Sequence, residues 1–257
     1  MCLLVLAYRV HPAYPLVVAA NRDEFYDRPS EPAQFWHEAP QLLAGRDLTA
    51  DGTWLGMSRD GRFAAVTNYR EARAPAAVSR GHLVRDYLQG AGSAGEFAQA
   101  LPPRGGDYAG FNLLLGDVQE LWWYSNRADA PKQLAPGIYG LSNHLLDSPW
   151  PKVLRGKAAL AAACADPTDL SPAPLLALLG DRRTHATEAD PISGMDADLA
   201  RALSAVFIDT PHYGTRCSTV LLQNAAGRVD FVEDSHLPQR GQAHYRFFLD
   251  TAKGKPA

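Results

Sequence analysis

Met1-Cys-Leu-Leu-Val-Leu-Ala-Tyr8, the turn His11–Pro15, and Leu16-Val-Val-Ala-Ala-Asn-Arg-Asp-Glu-Phe25 form the stretch on which the reading of this chain turns. Cys2–Tyr8 is apolar without polar alternation, the pattern of a strand buried on both faces. Leu16–Ala20 repeats it after a proline-bounded turn, so the two read as a hairpin within a covered sheet. The segment Asn21–Pro40, dense in charge and proline, reads as a long loop.

Working outward, more hairpins appear. Thr53–Ser58 and Arg62–Thr67 flank Asp60-Gly61, a strong turn signal between two strand-like runs. Phe111–Leu115 and Leu121–Tyr124 repeat the arrangement around Gly116-Asp117, and Gly137–Leu141 is a further short strand. Ser79–Leu88 and Ser93–Leu101 read as helices. Pro151–Ala165 is the clearest helix, with proline in its first turn and an alanine-rich body. Pro172–Leu179 is another, ending at Gly180, and the polar stretch Asp181–Asp198 reads as a loop with the reach to cover a pocket. Ala205–Ile208, Ser218–Gln223, Arg228–Val232 and Tyr245–Leu249 read as closing strands, followed by a frayed tail. Strands in sequential hairpins with grouped helices argue for an α+β class, not the alternation that builds a parallel sheet.

Composition removes several functions. The chain has 257 residues, 46% hydrophobic and 21% charged, the balance of a globular protein. Its 25 Lys and Arg against 28 Asp and Glu leave a net charge of −3, without the basic excess of a nucleic-acid binder. No uncharged run reaches the ~18 residues of a membrane span, and prolines break the opening apolar run too early for a signal peptide. A cytoplasmic protein without an integral membrane segment is the expectation. Cys2, Cys164 and Cys217 are too scattered for a disulfide frame or a paired-cysteine metal site. The phosphate-binding and zinc-helix patterns are missing, and Ala77-Val-Ser-Arg-Gly81 lacks the first glycine and the preceding strand of a serine-hydrolase elbow.

Cys2 remains. If Met1 is removed, the cysteine carries its own α-amine, which titrates near ~7.7–8.0 and can serve as general base for the adjacent thiol. By position alone a buried strand cysteine is the simpler reading. Polar residues that end apolar strands supply the other groups such a nucleophile needs. Asp23 is placed to hold the ammonium, and Asn68 and Asn143 are neutral donors suited to an oxyanion. Each is also an ordinary turn or cap residue.

Longer motifs stand in one order along the chain. They are Met1-Cys2, Asn21-Arg22-Asp23-Glu24-Phe25, Gly52-Thr53-Trp54-Leu55-Gly56, Thr67-Asn68-Tyr69, Gly110-Phe111-Asn112-Leu113, Tyr139-Gly140-Leu141-Ser142-Asn143 and Tyr213-Gly214-Thr215-Arg216. With them the chain resembles the NRDE family, also called the transport and Golgi organisation protein 2 family. The resemblance implies an N-terminal nucleophile hydrolase-like fold, a four-layer αββα sandwich of two antiparallel sheets. It implies one domain over residues 1–251, with residues 252–257 as the tail.

Choloylglycine hydrolases and penicillin acylases of that fold cleave amides with an N-terminal cysteine. By motif, Cys2 takes the nucleophile position, Asp23 anchors the amine, and Asn68 and Asn143 lie by the oxyanion. Asn21, Arg22, Glu24, Tyr69, His144 and Arg216 are the candidate binding residues. Ala20 departs from the pattern, standing where those enzymes carry an arginine; Arg22 and Arg216 are the candidates to replace it. The family's links to haem trafficking and to lipid or acyl-CoA handling imply a small hydrophobic ligand beside Cys2. That ligand is haem, an acyl-CoA or an acyl-amide, with His144 the nearest axial ligand for haem and no cofactor required for catalysis. Two functions stay open, a carrier of such a ligand and a Cys2-dependent amide or thioester hydrolase or acyltransferase.

Overall fold

The computed structural model describes residues 2–71, 77–167, 170–185 and 196–250. Two wholly antiparallel sheets face each other. The first runs in the order β10 (Gly137–Leu141), β1 (Leu3–Tyr8), β2 (Leu16–Phe25), β11 (Tyr213–Gln223), β12 (Arg228–Ser235), β13 (Gly241–Phe248). The second runs in chain order from β3 (Ser30–Phe35) through β4 (Leu42–Asp47), β5 (Leu55–Ser58), β6 (Phe63–Asn68), β7 (Phe111–Gly116) and β8 (Leu121–Ser125) to β9 (Lys132–Gln133). Helices α1 (Gly81–Gln89) and α2 (Ala94–Gln99) cover the second sheet. Helices α3 (Pro151–Cys164) and α4 (Pro172–Leu179) cover the first, and α5 (Ala197–Ala202) precedes β11.

Strand β1 shows why the unalternating run was legible. Leu4, Leu6 and Tyr8 point into the core between the sheets, while Leu3, Val5 and Ala7 point into the core under α3 and α4. Successive side chains serve opposite faces, and here both faces are covered. Each fully buried aliphatic side chain contributes roughly 1.5–3 kcal/mol, so this strand can carry a polar end at modest relative cost. The hairpin at Asp60-Gly61 also forms as read, with Gly61 at φ +93°, where a side chain would be strained.

The structure corrects several expectations. The stretch from Asn21 is not a loop. β2 continues through Asn-Arg-Asp-Glu to Phe25 because β11 pairs with it along its whole length, from Gln223↔Leu16 to Tyr213↔Phe25. Long-range pairing overrides the local preference of charged residues, and Arg22 and Asp23 are buried at 5% and 4% exposure. β3 and β4 then occupy residues without clear strand periodicity, and Lys132–Gln133 adds a short edge. Ala205–Ile208 is not a strand. Phe207 N–H donates to Asp181 O, Val206 O accepts from the Asn21 amide, and Ile208 exchanges backbone and side-chain bonds with Thr215. Those bonds replace a ladder. The tail and residues 186–195 of the Asp181–Asp198 loop lie outside the described residues.

Helix α3 lies close on β1 because residue 156 is glycine. A Cβ there would meet Val5 Cγ1 at 2.9 Å and Leu3 Cδ2 at 3.5 Å. Gly156→Val is expected to destabilise the fold by about 1–3 kcal/mol through overpacking, read as a lower urea midpoint at unchanged slope. An unchanged midpoint would mean that the helix–strand contact is loose.

Candidate functional site around Cys2

The β1–β2 register pairs Leu3 with Asn21, which sets Cys2 beside the Arg22–Asp23 end of β2. On the other side Leu4 pairs with Leu141, so Ser142 and Asn143 emerge from β10 alongside Cys2. Ser142 Oγ donates to Cys2 O at 2.7 Å, and Cys2 N–H donates to Asn143 Oδ1 at 3.1 Å. Asn143 Nδ2 donates across to Asn68 O at 2.9 Å, and Thr67 Oγ1 donates to Ser142 O at 2.7 Å. The site therefore sits where β1, β2 and β10 of one sheet meet the end of β6 of the other.

Asp23 is held from β11. A bulge between Thr215 and Cys217 turns Thr215 inward, and its Oγ1 donates to Asp23 Oδ1 at 2.7 Å. Tyr213 Oη donates to Asp23 O at 3.0 Å, and the Asp23 backbone N–H donates to the Cys2 thiol. Burial raises the Asp23 carboxyl above the usual carboxylate range, opposed by Lys152, Thr215 and Arg22. Burial likewise raises the Cys2 thiol, with the Asp23 charge acting in the same direction and Arg22 against it. The residue as a whole is half-buried.

The remaining expected residues are placed unequally. Arg22 lies with its guanidinium 4.1 Å over the Trp54 ring, bonds Ser30 Oγ at 3.3 Å, and stands 3.9 Å from Asp47. Together Arg22 and Trp54 wall a cavity of about 20 Å³ bordered by Cys2, Leu4, Ala20 and Ala65. That is room for about one water molecule. A second cavity of about 30 Å³ lies beyond the same pair, bordered by Arg216, Cys217 and Glu233.

Asn21 faces the helical layer, where its amide donates to Leu179 O and Val206 O and accepts from Ser218 Oγ. Glu24 stands at 3.9 Å from Arg28. Arg216 clamps the β2–β3 turn and the segment after β12 through Phe25 O, Arg28 O and Leu237 O. Asn68 contributes its backbone carbonyl to the site, and its residue is exposed.

Tyr69 and His144 form one unit. Ser148 Oγ donates to Leu145 O, so it accepts from His144 Nδ1, and the Tyr69 hydroxyl then donates to His144 Nε2 at 3.1 Å. Both ring nitrogens are thereby engaged, and axial ligation would have to displace Tyr69. Among the described residues no group of three or more His, Cys, Asp or Glu is placed to hold a metal ion. No helix there is long and apolar enough to cross a membrane.

Two participants escaped the sequence reading. Thr215 lies within a quoted motif but carried no assigned role. Lys152 is 2% exposed, its Nζ donates to Leu203 O at 3.1 Å, and its charge acts on Asp23 and Cys2. A signal existed: Lys152, Gly156, Leu160 and Cys164 recur every four residues on the buried stripe of α3, and a lysine on such a stripe is rare.

The family model for Transport and Golgi organisation 2 matches residues 1–238. The chain belongs to the Transport and Golgi organisation 2 family. It is 38% identical to the Transport and Golgi organization protein 2 homolog of Bos taurus, over 92% of this chain and 94% of that one. The Homo sapiens homolog is 36% identical over 91% and 93%, and the Drosophila melanogaster protein 27% identical over 91% and 92%.

Among solved structures, a variant of conjugated bile acid hydrolase from Clostridium perfringens aligns with TM-score 0.56 at 9% identity, covering 99% of both chains. The Caenorhabditis elegans ortholog of N-acylethanolamine-hydrolyzing acid amidase aligns with TM-score 0.51 at 10% identity, over 86% of this chain and 92% of that one. These likenesses establish the N-terminal nucleophile hydrolase-like fold.

Burial pushes Lys152 down to about 8 from an ordinary 10.5. Between those values the unfolded chain holds a proton that the folded chain has released, so this group's contribution to stability rises with pH across the window. The stability of wild type relative to Lys152→Met should therefore climb by about 3 kcal/mol from pH 8 to 10.5 in urea titrations. A flat difference would place the lysine in water.

Proposed function

We propose that this protein takes an acyl ligand, an amide or a thioester such as an acyl-CoA, onto Cys2 and acts as a cysteine-dependent hydrolase or acyltransferase once Met1 is removed. The observation that carries the reading is the convergence at one thiol of Asp23, Thr215, Asn143 and an apolar cleft. A carrier has no need of a buried carboxylate beside its ligand. In the reaction, Cys2 Sγ attacks the carbonyl carbon and its proton passes to the freed α-amine. The bond to the leaving amine or thiol breaks as that proton is handed over, and water or another acceptor then cleaves the acyl-enzyme. Asp23 orients the ammonium, and Arg22 stacked on Trp54 closes the pocket beside Cys2, so an acyl chain enters only when that pair moves aside. Asn143 is the oxyanion donor, which requires its amide to turn from Asn68 O toward the ligand; Asn68 enters as the carbonyl that holds that amide.

A second reading is carriage of an acyl-CoA or of haem without turnover. Ala20 favours it, being an apolar side chain where the related enzymes hold an arginine, as does the engagement of the Asn143 amide away from the cleft. Within this reading haem is disfavoured, because both His144 nitrogens are engaged.

The deciding experiment combines intact mass with a screen of acyl-amides and acyl-CoAs. Catalysis predicts a chain lacking Met1, product release, and loss of that release in Cys2→Ala. Saturable binding that persists in Cys2→Ala, without product from wild type, selects the carrier. Met1 retained on fully active protein would rule out the α-amine as base.

A further inference from the structure

The topology places one more charged group at the nucleophile. Helix α3 runs parallel to β1: Gly156 packs over Leu3 and Val5, and Asp166, just past the helix, accepts from His11 beyond the far end of that strand. Lys152, one turn before Gly156, therefore lies at the Cys2 end. Its Nζ is fixed by Leu203 O, in the segment whose Val206 O receives the Asn21 amide. The side chain is buried, and Asp23 and Cys2 are among the charges that act on it.

We propose that Lys152 is a positioning residue for Cys2, a buried cation at the Cys2 end of β1 whose charge acts on Asp23 and Cys2 and so keeps the thiol and its base in the reactive protonation state. This rests on the reading of Cys2 as a functional thiol and adds what sets its charge. The groups facing Lys152 are Asp23 from β2, Cys2 ahead of β1, and Arg70 after β6. Arg22 also acts on both Cys2 and Asp23. The Asp23 carboxylate thus feels the Arg22 guanidinium and the Lys152 ammonium, and Arg70 adds a further positive charge beside Lys152. With its pKa at about 8, Lys152 is still mostly protonated at neutral pH, and a neighbouring cation disfavours the charged form of an amine. Lys152 therefore drives the amine toward its free-base form and stabilises the thiolate when it forms. Both effects favour attack at neutral pH.

The test is the pH profile of iodoacetamide alkylation at Cys2, read by peptide mass mapping so that Cys164 and Cys217 do not contribute. Lys152→Met should move the alkylation midpoint to higher pH and slow Cys2 modification at pH 7 about tenfold, the effect of one unit. Lys152→Arg should keep the wild-type midpoint even if it unfolds more readily, and Lys157→Met, whose lysine pairs with Asp147, should change nothing. A Lys152→Met protein with the wild-type midpoint overturns the proposal, whatever its melting temperature. The readout needs no substrate, so failure of the acyl screen leaves it intact, and a flat alkylation result leaves the screen intact.

Discussion

The side-chain amide of Asn143 is the joint on which the site depends. Its oxygen receives the Cys2 N–H and its nitrogen reaches Asn68 O, so one residue at the end of β10 ties the start of β1 to the end of β6. Thr67 and Arg70 brace the same segment through Ser142 O and Asn143 O. Sheets in a sandwich are held mainly by non-directional apolar contact, which fixes separation better than it fixes the alignment of strand ends. Directional bonds at this corner supply that alignment.

Around that joint the interior carries an unusual load of charge. Asp23, Arg22, Lys152 and Glu233 are all 5% exposed or less. Burial holds the Asp23 and Glu233 carboxyls above their usual range and Lys152 below its own. Glu233 is tied to Ala33 N–H and Thr219, and Arg22 leans on Trp54, so each polar group has a partner. Ion pairs of this kind rarely stabilise a fold relative to apolar packing. Their concentration at one end of β1 and β2, beside a thiol, is the arrangement expected where protonation states are set for chemistry. The double-sided burial of β1 and β2 supplies the stability that offsets it.

Much of this was legible before folding. The apolar run after Cys2, the hairpin at Asp60-Gly61 and the proline-started α3 announced themselves through local patterns. Asp23 and Asn143 could be singled out because polar residues abruptly end apolar strands. The extension of β2 could not be read, since Asn-Arg-Asp-Glu has poor strand character and becomes a strand only because Thr215–Gln223 arrives from almost two hundred residues away. The misreading of Ala205–Ile208 has the converse cause. It looks like a strand, but its backbone finds side-chain and loop partners instead.

By itself, then, the sequence determined which elements are buried on two faces and the α+β class, and it singled out Cys2 among three cysteines, since those follow from periodicity, turn chemistry and long ordered motifs. Only the tertiary structure decided which polar groups that thiol meets. Lys152 and Thr215 approach Cys2 from a helix and a strand distant in the chain, while Arg216 and Asn21, equally eligible by motif, are turned to bracing the scaffold. The reason is physical: a charged side chain carries no local signal of its partner, and its role is set by which distant backbone and carboxylate the packed sheets bring within reach.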